Sequence, residues 1–245
     1  MSPLSRRPLA LGPLAAALAA HLDTAERRWL AQGQAQVRRD PGALAALFPV
    51  VGRTVGREPL HPRTDAEDVH AWTVDAAART VLLAALGPAV DAHLAPLYRH
   101  GDASERRAVL LALAFLPVPD AVGVPLVEDA LRTNDPHLVA AALGPYALAR
   151  LDDAALAQAV LKCLFVGVPL AGVAGVRERA TPALAAALDR YVAEREAAGR
   201  TVPAEVWPLV RAGRGAGEAG AMVGTGHAGA VAGTEGGRSA AGTEG

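Results

Sequence analysis

The densest group of side chains that could bind or react lies between residues 128 and 135. It contains Glu128, Asp129, Arg132 and Asn134, which offer two carboxylates, a guanidinium and an amide. If the ends of stacked helices bring these groups to one rim of the fold, they can bind the polar surface of a partner, as solenoid rims do. The alternative interpretation is a solvated helix end followed by a turn, which is the commoner role of such a segment.

Arg53, Arg57 and Arg79 form a second, weaker group, and Lys162 is the only lysine of the chain. Arg79 lies in a run of alanine, valine and leucine. We therefore expect it to be buried and to pair with a carboxylate or with the carbonyl groups at a helix C-terminus. A buried arginine is more often structural than catalytic. A polar pocket between helices would instead indicate an enzyme, and its candidate residues are Arg79, Glu128, Arg132 and Lys162.

Established motifs give no support for catalysis. The chain has no HExxH, P-loop, nucleophile-elbow or CxxC pattern, and the G-x-G-x-x-G at 224–229 lacks the strand and helix that a dinucleotide site needs. His93 and His100 have no further ligands at metal-binding spacing. Cys163 lies in an apolar helix and is expected to be a small buried hydrophobe. We therefore expect no catalytic residue, no metal site and no cofactor.

Four aspartates at regular spacing indicate the architecture that positions these groups. Asp102, Asp120, Asp135 and Asp152 each open an apolar helical segment, as helix N-caps do. The distance from Asp102 to Asp135 is 33 residues and that from Asp120 to Asp152 is 32, the length of one helical hairpin. The pattern predicts an all-α fold of stacked antiparallel helical hairpins, a short HEAT-like α-solenoid or helical bundle with its core repeat at about 99–168.

Local signals predict further helix ends and the limits of the domain. Asp23 and Glu26 form a capping box, and Pro49 should bend or end the helix that contains it. Residues 1–211 are expected to form one all-helical domain. Residues 212–245 are rich in glycine and alanine and cannot bury enough apolar area to offset their chain entropy, so we expect a disordered tail.

The segment around Asp120 allows more detailed expectations. Residues 108–116 are apolar on every side, which places them between other helices at the centre of the fold. In the helix that Asp120 opens, Pro125 should fall in the first turn. Glu128 and Arg132 stand four residues apart, an arrangement that favours an ion pair worth about 0.3 kcal/mol.

The composition favours an all-α protein and excludes several classes of partner. Of 245 residues, 51% are hydrophobic and only 4% are aromatic, a balance that suits close packing of helices. The net charge is −1 with acids and bases interspersed, so neither nucleic acid nor an anionic membrane surface is expected as a partner. No unbroken apolar run reaches the length of about 18 residues that indicates a membrane span.

The expected compartment is the cytoplasm, because a single cysteine gives no support for an oxidising environment. The alternative is export, since Arg6 and Arg7 precede an apolar run and thereby partly resemble a twin-arginine signal. That run continues directly into Asp23 and Glu26, which begin another helix without a flexible start for a mature chain. This continuity favours retention in the cytoplasm.

Four short runs carry a resemblance to a known family: FPVVGR at 48–53, LYRHGD at 97–102, VEDALRTND at 127–135 and AVLKCLF at 159–165. They resemble the EboA proteins, and the likeness spans about residues 10–210. The resemblance implies a bacterial accessory protein, encoded in a small gene cluster beside a prenyltransferase-like protein, a TatD-like hydrolase and sugar-phosphate-type enzymes. Such clusters accompany secondary metabolism and are linked to moving a metabolite precursor across the inner membrane. The family has no agreed catalytic residues, so the resemblance assigns no residue role.

These observations lead to one hypothesis and one alternative. The hypothesis is a non-enzymatic accessory or scaffold protein, a helical-repeat binding module whose partner is another protein of the same gene cluster or a small hydrophobic metabolite. Its binding rim or pocket would include Glu128, Asp129, Arg132, Asn134, Arg79 and Lys162. The alternative is an enzyme or enzyme subunit that acts on a small prenylated or aromatic metabolite through a polar pocket between helices.

Overall fold

The chain forms an all-α fold, as the sequence predicts. A computed structural model describes residues 6–61 and 68–225, and within these ranges it contains twelve α-helices and no strand. The helices are α1 (Leu11–His21), α2 (Thr24–Arg39), α3 (Leu44–Thr54), α4 (Val74–Ala84), α5 (Val90–His100), α6 (Ala103–Ala112), α7 (Asp120–Leu131), α8 (Pro136–Ala142), α9 (Pro145–Arg150), α10 (Asp153–Val166), α11 (Pro182–Ala197) and α12 (Val206–Thr225).

Aspartate caps begin the helices at the predicted positions, with one exception. Asp102 and Asp135 accept hydrogen bonds from first-turn N–H groups of α6 and α8, and Asp152 does the same for α10. Asp120 does not cap a helix, because it is already the first helical residue of α7. Its carboxylate instead binds two arginines that are distant in sequence. The predicted capping role of Asp120 is therefore wrong.

Two prolines lie deeper inside their helices than the sequence predicts. α3 continues past Pro49 and ends only at Thr54, although proline removes one backbone hydrogen bond from a helix. Phe48 and Val51 on either side of Pro49 are completely buried, and their packing holds the helix together. Pro125 is the sixth residue of α7 and therefore lies beyond the first turn. The reason is that α7 begins at Asp120, which the sequence predicts as the N-cap.

The helices pack in two rows. In the first row α4, α6 and α8 lie side by side, followed by α10, α11 and α12. In the second row α3 packs against α4, α5 against α6, and α7 against α5, α8 and α9. The central position predicted for residues 108–116 is confirmed for α6, which contacts α4, α5 and α8. The more specific similarity to HEAT repeats stays a prediction.

Three helix connections, those before α4, α6 and α8, meet at one side of the stack, which we call the hairpin edge. Arg57, which follows α3, lies 3.9 Å from Asp102, which precedes α6. Tyr98 near the end of α5 donates a 3.1 Å hydrogen bond to Asp129 near the end of α7. Residues at the starts of α4, α6 and α8 line one common cavity. The N-termini of these three helices therefore converge at the hairpin edge.

The C-terminal boundary differs from the predicted one at residue 211. α12 continues to Thr225, and Arg214 forms a 2.8 Å ion pair with Asp189 of α11. Gly213 lies against α11 so closely that an added Cβ would collide with the carbonyl oxygen of Thr181. The predicted tail therefore starts too early, because packing against α11 stabilises a segment whose composition alone would not fold. Residues 226–245 of that tail lie outside the described residues.

Among the described residues, no single helix is long and apolar enough to cross a membrane. α4 and the segment 87–100 are long and apolar enough only in combination, and they are bent by 109° relative to each other. In the fold, residues 74–83 of α4 are all buried.

The close approach of α12 to α11 predicts opposite effects for two neighbouring glycines. A Cβ at Gly213 would also lie 2.8 Å from that of Ala185, so Gly213→Ala should lower the free energy of unfolding by about 1–3 kcal/mol. Gly215 has open space around it, so Gly215→Ala should raise that free energy by about 0.5–1 kcal/mol through helix propensity. Urea unfolding measures both changes. Equal stabilisation by both substitutions would contradict the described packing of α12.

Candidate functional site

A polar cavity of about 260 Å³ lies at the hairpin edge, where α4, α6 and α8 begin. Each of these helices contributes side chains from its first two turns, and the segment before α4 closes one side. Helix N-termini carry partial positive charge, so three of them around one cavity favour negative charge inside it. The polar lining consists of Arg57, Asp68, Thr73, Asp75, Ser104, Arg107, Asp135 and His137.

The three helix starts are not equivalent. Asp102 caps α6 and Asp135 caps α8, so carboxylates already occupy part of the positive end of these helices. Thr73 occupies the N-cap position of α4, but its side chain makes no capping hydrogen bond. The N–H group of Val74, the first residue of α4, donates a 3.0 Å hydrogen bond to the carbonyl oxygen of Glu58, so only the later first-turn N–H groups lack a cap.

Arg107 is the most informative residue of the cavity wall. Its side chain is buried, with 9% of the residue exposed, and its Nη2 donates to the carbonyl oxygens of Val69, at 3.3 Å, and Ala71. It forms no ion pair with any carboxylate of the described residues. Burial lowers the pKa of the Arg107 guanidinium, and more distant carboxylates, Asp75 first among them, oppose this effect. A buried cation without a direct counterion favours the binding of an anion.

Asp75, the nearest candidate counterion, is already paired. It forms an ion pair with Arg79 four residues later in α4, and Arg79 is completely buried. The Nε of Arg79 donates a 3.1 Å hydrogen bond to the carbonyl oxygen of Phe48, and its guanidinium lies over the Phe48 ring. The prediction that Arg79 is buried and pairs with a carboxylate is therefore confirmed. Since Arg79 neutralises Asp75, the charge of Arg107 is left without a direct partner.

The remaining lining determines what the cavity suits chemically. Arg57 is exposed at the cavity and makes only a long ion pair with Asp102, so its guanidinium can turn towards a ligand. Ser104 and His137 add a hydroxyl and an imidazole. The two guanidinium groups and these donors, together with the carboxylates of Asp68 and Asp135, suit a small ligand that carries one anionic group and several hydroxyl groups.

The predicted rim residues form a separate cluster at the same edge. The carboxylate of Asp129 accepts hydrogen bonds from Tyr98 at 3.1 Å, from Arg106 at 3.2 Å and from Arg132 at 3.0 Å. Arg132 therefore pairs with Asp129 and not with Glu128, so the ion pair predicted between Glu128 and Arg132 is wrong. Tyr98 and Arg106 also hold the Asp129 carboxylate, which is therefore a better-ordered partner for Arg132 than the exposed side chain of Glu128.

The pKa of the Asp129 carboxyl group lies below its ordinary value. Partial burial raises the pKa of its carboxyl group, but hydrogen bonds from Arg132 and Tyr98 lower it more. Burial in turn raises the pKa of the Tyr98 hydroxyl. Asp129 therefore stays ionised and Tyr98 stays neutral around neutral pH.

The structure joins some of the six predicted site residues and separates others. Lys162 of α10 donates a 2.7 Å hydrogen bond to the side chain of Asn134, so these two lie together beside the start of α8. Arg79 lies apart from them in the core between α3 and α4. Glu128 is exposed on α7. Five cavities among the described residues contain none of Arg79, Glu128, Arg132 and Lys162 in their linings.

None of the six predicted residues lines the polar cavity, and several cavity residues escaped sequence reasoning. Arg107 could have been found, because it shares a face of α6 with Ala103 and Leu111, four residues away on either side, and is thus a charge on an apolar face. Asp75 could have been found from its spacing to Arg79. Ser104 and His137 carried no signal that distinguishes them from ordinary first-turn residues.

Metal and thiol chemistry find no support in the described residues. They contain no group of three or more histidine, cysteine, aspartate or glutamate side chains that could hold a metal ion. Cys163 is buried, and burial raises the pKa of its thiol to about 12. The reactive thiolate is therefore not formed at neutral pH.

The buried position of Arg79 predicts a large structural effect of its removal. Arg79→Ala leaves Asp75 buried without a partner and should lower the free energy of unfolding by about 3–5 kcal/mol. Arg132→Ala removes an exposed pair with Asp129 and should cost about 0–1 kcal/mol. Replacing both partners, with Asp75→Leu and Arg79→Met, should recover most of the loss. Denaturant unfolding measures these values, and similar losses for Arg79→Ala and Arg132→Ala would refute the structural role.

Comparison with known proteins connects this architecture to a family. A family model described as metabolite traffic protein EboA matches residues 11–211. The matched range includes every helix that lines the polar cavity and all six predicted site residues. Neither the curated proteins nor the solved structures give a match. Since the match covers most of the sequence, the chain belongs to the EboA family, whose model describes a metabolite traffic protein.

Proposed function

We propose that the chain is a non-enzymatic binding protein of metabolite traffic, which holds a small metabolite in the polar cavity by an anionic group. One observation carries the proposal: the buried guanidinium of Arg107 lines a cavity of about 260 Å³ without a direct counterion. Membership in a family described by metabolite traffic supports a role connected with a metabolite.

The electrostatics of the cavity favour an anionic ligand group. A phosphate or carboxylate between Arg107 and Arg57 would accept charge-assisted hydrogen bonds, which are stronger than bonds between neutral groups. The first turn of α4, apart from the N–H of Val74 that binds Glu58, adds N–H groups of the kind that bind anions at helix N-termini. Asp68 and Asp135 can accept hydrogen bonds from hydroxyl groups of the same ligand.

The size of the cavity limits the ligand. Pockets for drug-sized molecules have volumes of about 300–1,000 Å³, so a cavity of about 260 Å³ suits a small metabolite or the polar end of a larger one. The proposal therefore differs from the sequence hypothesis in one respect: this cavity suits an anionic group, whereas the hypothesis names a hydrophobic metabolite.

We also propose that a protein of the same gene cluster docks at the hairpin edge. The rim of Glu128, Asp129, Arg132, Asn134 and Lys162 lies next to Asp135, which lines the cavity. A partner bound to this rim would stand beside the cavity and could receive the metabolite. The cytoplasm is the compartment that we propose, because Arg6 of the twin-arginine-like pair makes an ion pair with Asp120 in the folded chain.

The proposal predicts that anions stabilise the protein through Arg107. Pyrophosphate, inorganic phosphate or acetate should raise the melting temperature above that in sodium chloride of equal ionic strength. Arg107→Gln should weaken the binding of the best of these anions about tenfold to a hundredfold, because hydrogen bonds to charged groups contribute about 1.5–3 kcal/mol. Titration calorimetry on the folded protein measures the affinity.

Arg106→Gln is the matched control, since Arg106 precedes Arg107 on α6 but contacts Tyr98 and Asp129 outside the cavity. It should leave anion binding unchanged. If Arg107→Gln does not fold, Arg57→Gln at the exposed side of the cavity should weaken binding in the same direction. Equal affinity for an anion in the native chain and in Arg107→Gln or Arg57→Gln would overturn the proposal.

A further inference from the structure

A second cavity lies at the opposite ends of α6 and α8, and its lining is mainly apolar. It consists of two adjoining voids of about 240 and 100 Å³. Leu9, Leu113, Ala114, Pro145 and Tyr146 line both voids, so the two belong to one space, which we call the apolar cavity. The polar cavity is lined by the first turns of the same helices and shares no residue with it. The two sites therefore have different chemistry and are independent of each other.

Aromatic rings shape the apolar cavity. Trp72 and Phe115 line the smaller void and meet edge to face, with ring centroids 5.6 Å apart. The hydroxyl of Tyr146 donates a 3.1 Å hydrogen bond to the carbonyl oxygen of Pro119, so its polar atom already has a partner. The absence of a side chain at Gly123 makes room for this position of Tyr146, because an added Cβ would collide with the hydroxyl. Arg7 and Arg150 also line the larger void, and the guanidinium of Arg150 binds Asp120 and lies 3.9 Å from the centroid of the Tyr146 ring. The remaining wall is ordered and mainly apolar.

The N-terminal segment 6–10, which we call the strap, covers this cavity. The N–H group of Leu9 donates a 2.7 Å hydrogen bond to the carbonyl oxygen of Ala114. Arg6 forms a 3.1 Å ion pair with Asp120, and Arg150 binds both the Asp120 carboxylate and the carbonyl oxygen of Arg6. Asp120 thus fastens the strap through two arginines. This is the role that it has in place of the predicted helix cap.

The strap is held much more weakly than the helices beneath it. It precedes α1, and all five of its residues are exposed, with 47% of Leu9 exposed. The side chains of the Arg6–Asp120 pair are 65% and 49% exposed, so water and salt screen the attraction between them. Segments with few buried contacts open locally far more often than the core does. The cavity below the strap is therefore accessible without unfolding of the protein.

We propose that the apolar cavity binds a small uncharged apolar molecule of about one or two rings, and that the strap opens to admit it. The larger void exceeds the roughly 150 Å³ of an apolar protein cavity that holds benzene. The space is partly open beneath the exposed strap, and a concave, mostly apolar site of this kind is the usual form of a site for a small molecule. Leu9 lies between the two voids and occupies part of the ligand's space when the site is empty.

The test uses N-phenyl-1-naphthylamine, an uncharged aromatic probe whose fluorescence rises in apolar surroundings. The native chain should bind one probe with saturable fluorescence. Ala114→Phe fills the cavity and should weaken binding at least tenfold. Phe165→Ser is the matched control, because Phe165 is an apolar residue outside the cavity and is 67% exposed. It should leave probe binding unchanged.

Two further variants keep the test decisive. If Ala114→Phe does not fold, Leu9→Trp fills the cavity from the exposed strap and should weaken binding in the same way. Asp120→Asn releases both arginines and should make probe association at least threefold faster in stopped-flow mixing. Absence of saturable binding, loss of binding in Phe165→Ser, or an unchanged association rate in Asp120→Asn would each overturn the proposal. None of these outcomes depends on the anion binding proposed for the polar cavity.

Discussion

The ion pair between Asp75 and Arg79 connects the stability of the fold with the properties of the candidate site. Arg79 is completely buried, binds Asp75 within α4 and donates a hydrogen bond to a backbone carbonyl of α3, so one side chain joins two helices. Charge-assisted bonds of this kind are strong, and removal of one partner leaves the other as a costly buried charge. Because Asp75 also lines the polar cavity, its pairing with Arg79 leaves Arg107 as the cation without a direct counterion.

The helices could be predicted where their signals are local. Asp102, Asp135 and Asp152 cap helices because a carboxylate at the N-cap needs only N–H groups two or three residues ahead. Asp120 has the same local sequence signal, but two arginines from distant segments compete for its carboxylate, and no local pattern reveals them. The continuation of α3 past Pro49 likewise depends on tertiary packing, and the helix propensities of single residues do not describe such packing.

The candidate site was less predictable than the fold, because its residues come from separate hairpins. The burial of Arg79 followed from its apolar neighbours in sequence. The position of Arg107 depends on a segment 36 residues earlier, whose carbonyl oxygen accepts its hydrogen bond. Arg132 pairs with Asp129 and not with Glu128, because hydrogen bonds from Tyr98 and Arg106 hold the Asp129 carboxylate in place. Tyr98 and Arg106 each lie more than 20 residues from Asp129 in the sequence. Spacing along one helix cannot decide between partners that distant segments stabilise.

α6 borders both cavities, with Ser104 and Arg107 at the polar one and Leu111 at the apolar one. Arg107 and Leu111 are four residues apart, which is about 6 Å along the helix axis. The same side of one buried helix therefore changes from a cationic to a hydrocarbon environment within little more than a single turn. The surroundings of α6 are consequently polar at its N-terminal end and apolar at its C-terminal end. A charged group is therefore solvated better at the first end, and a hydrocarbon group at the second.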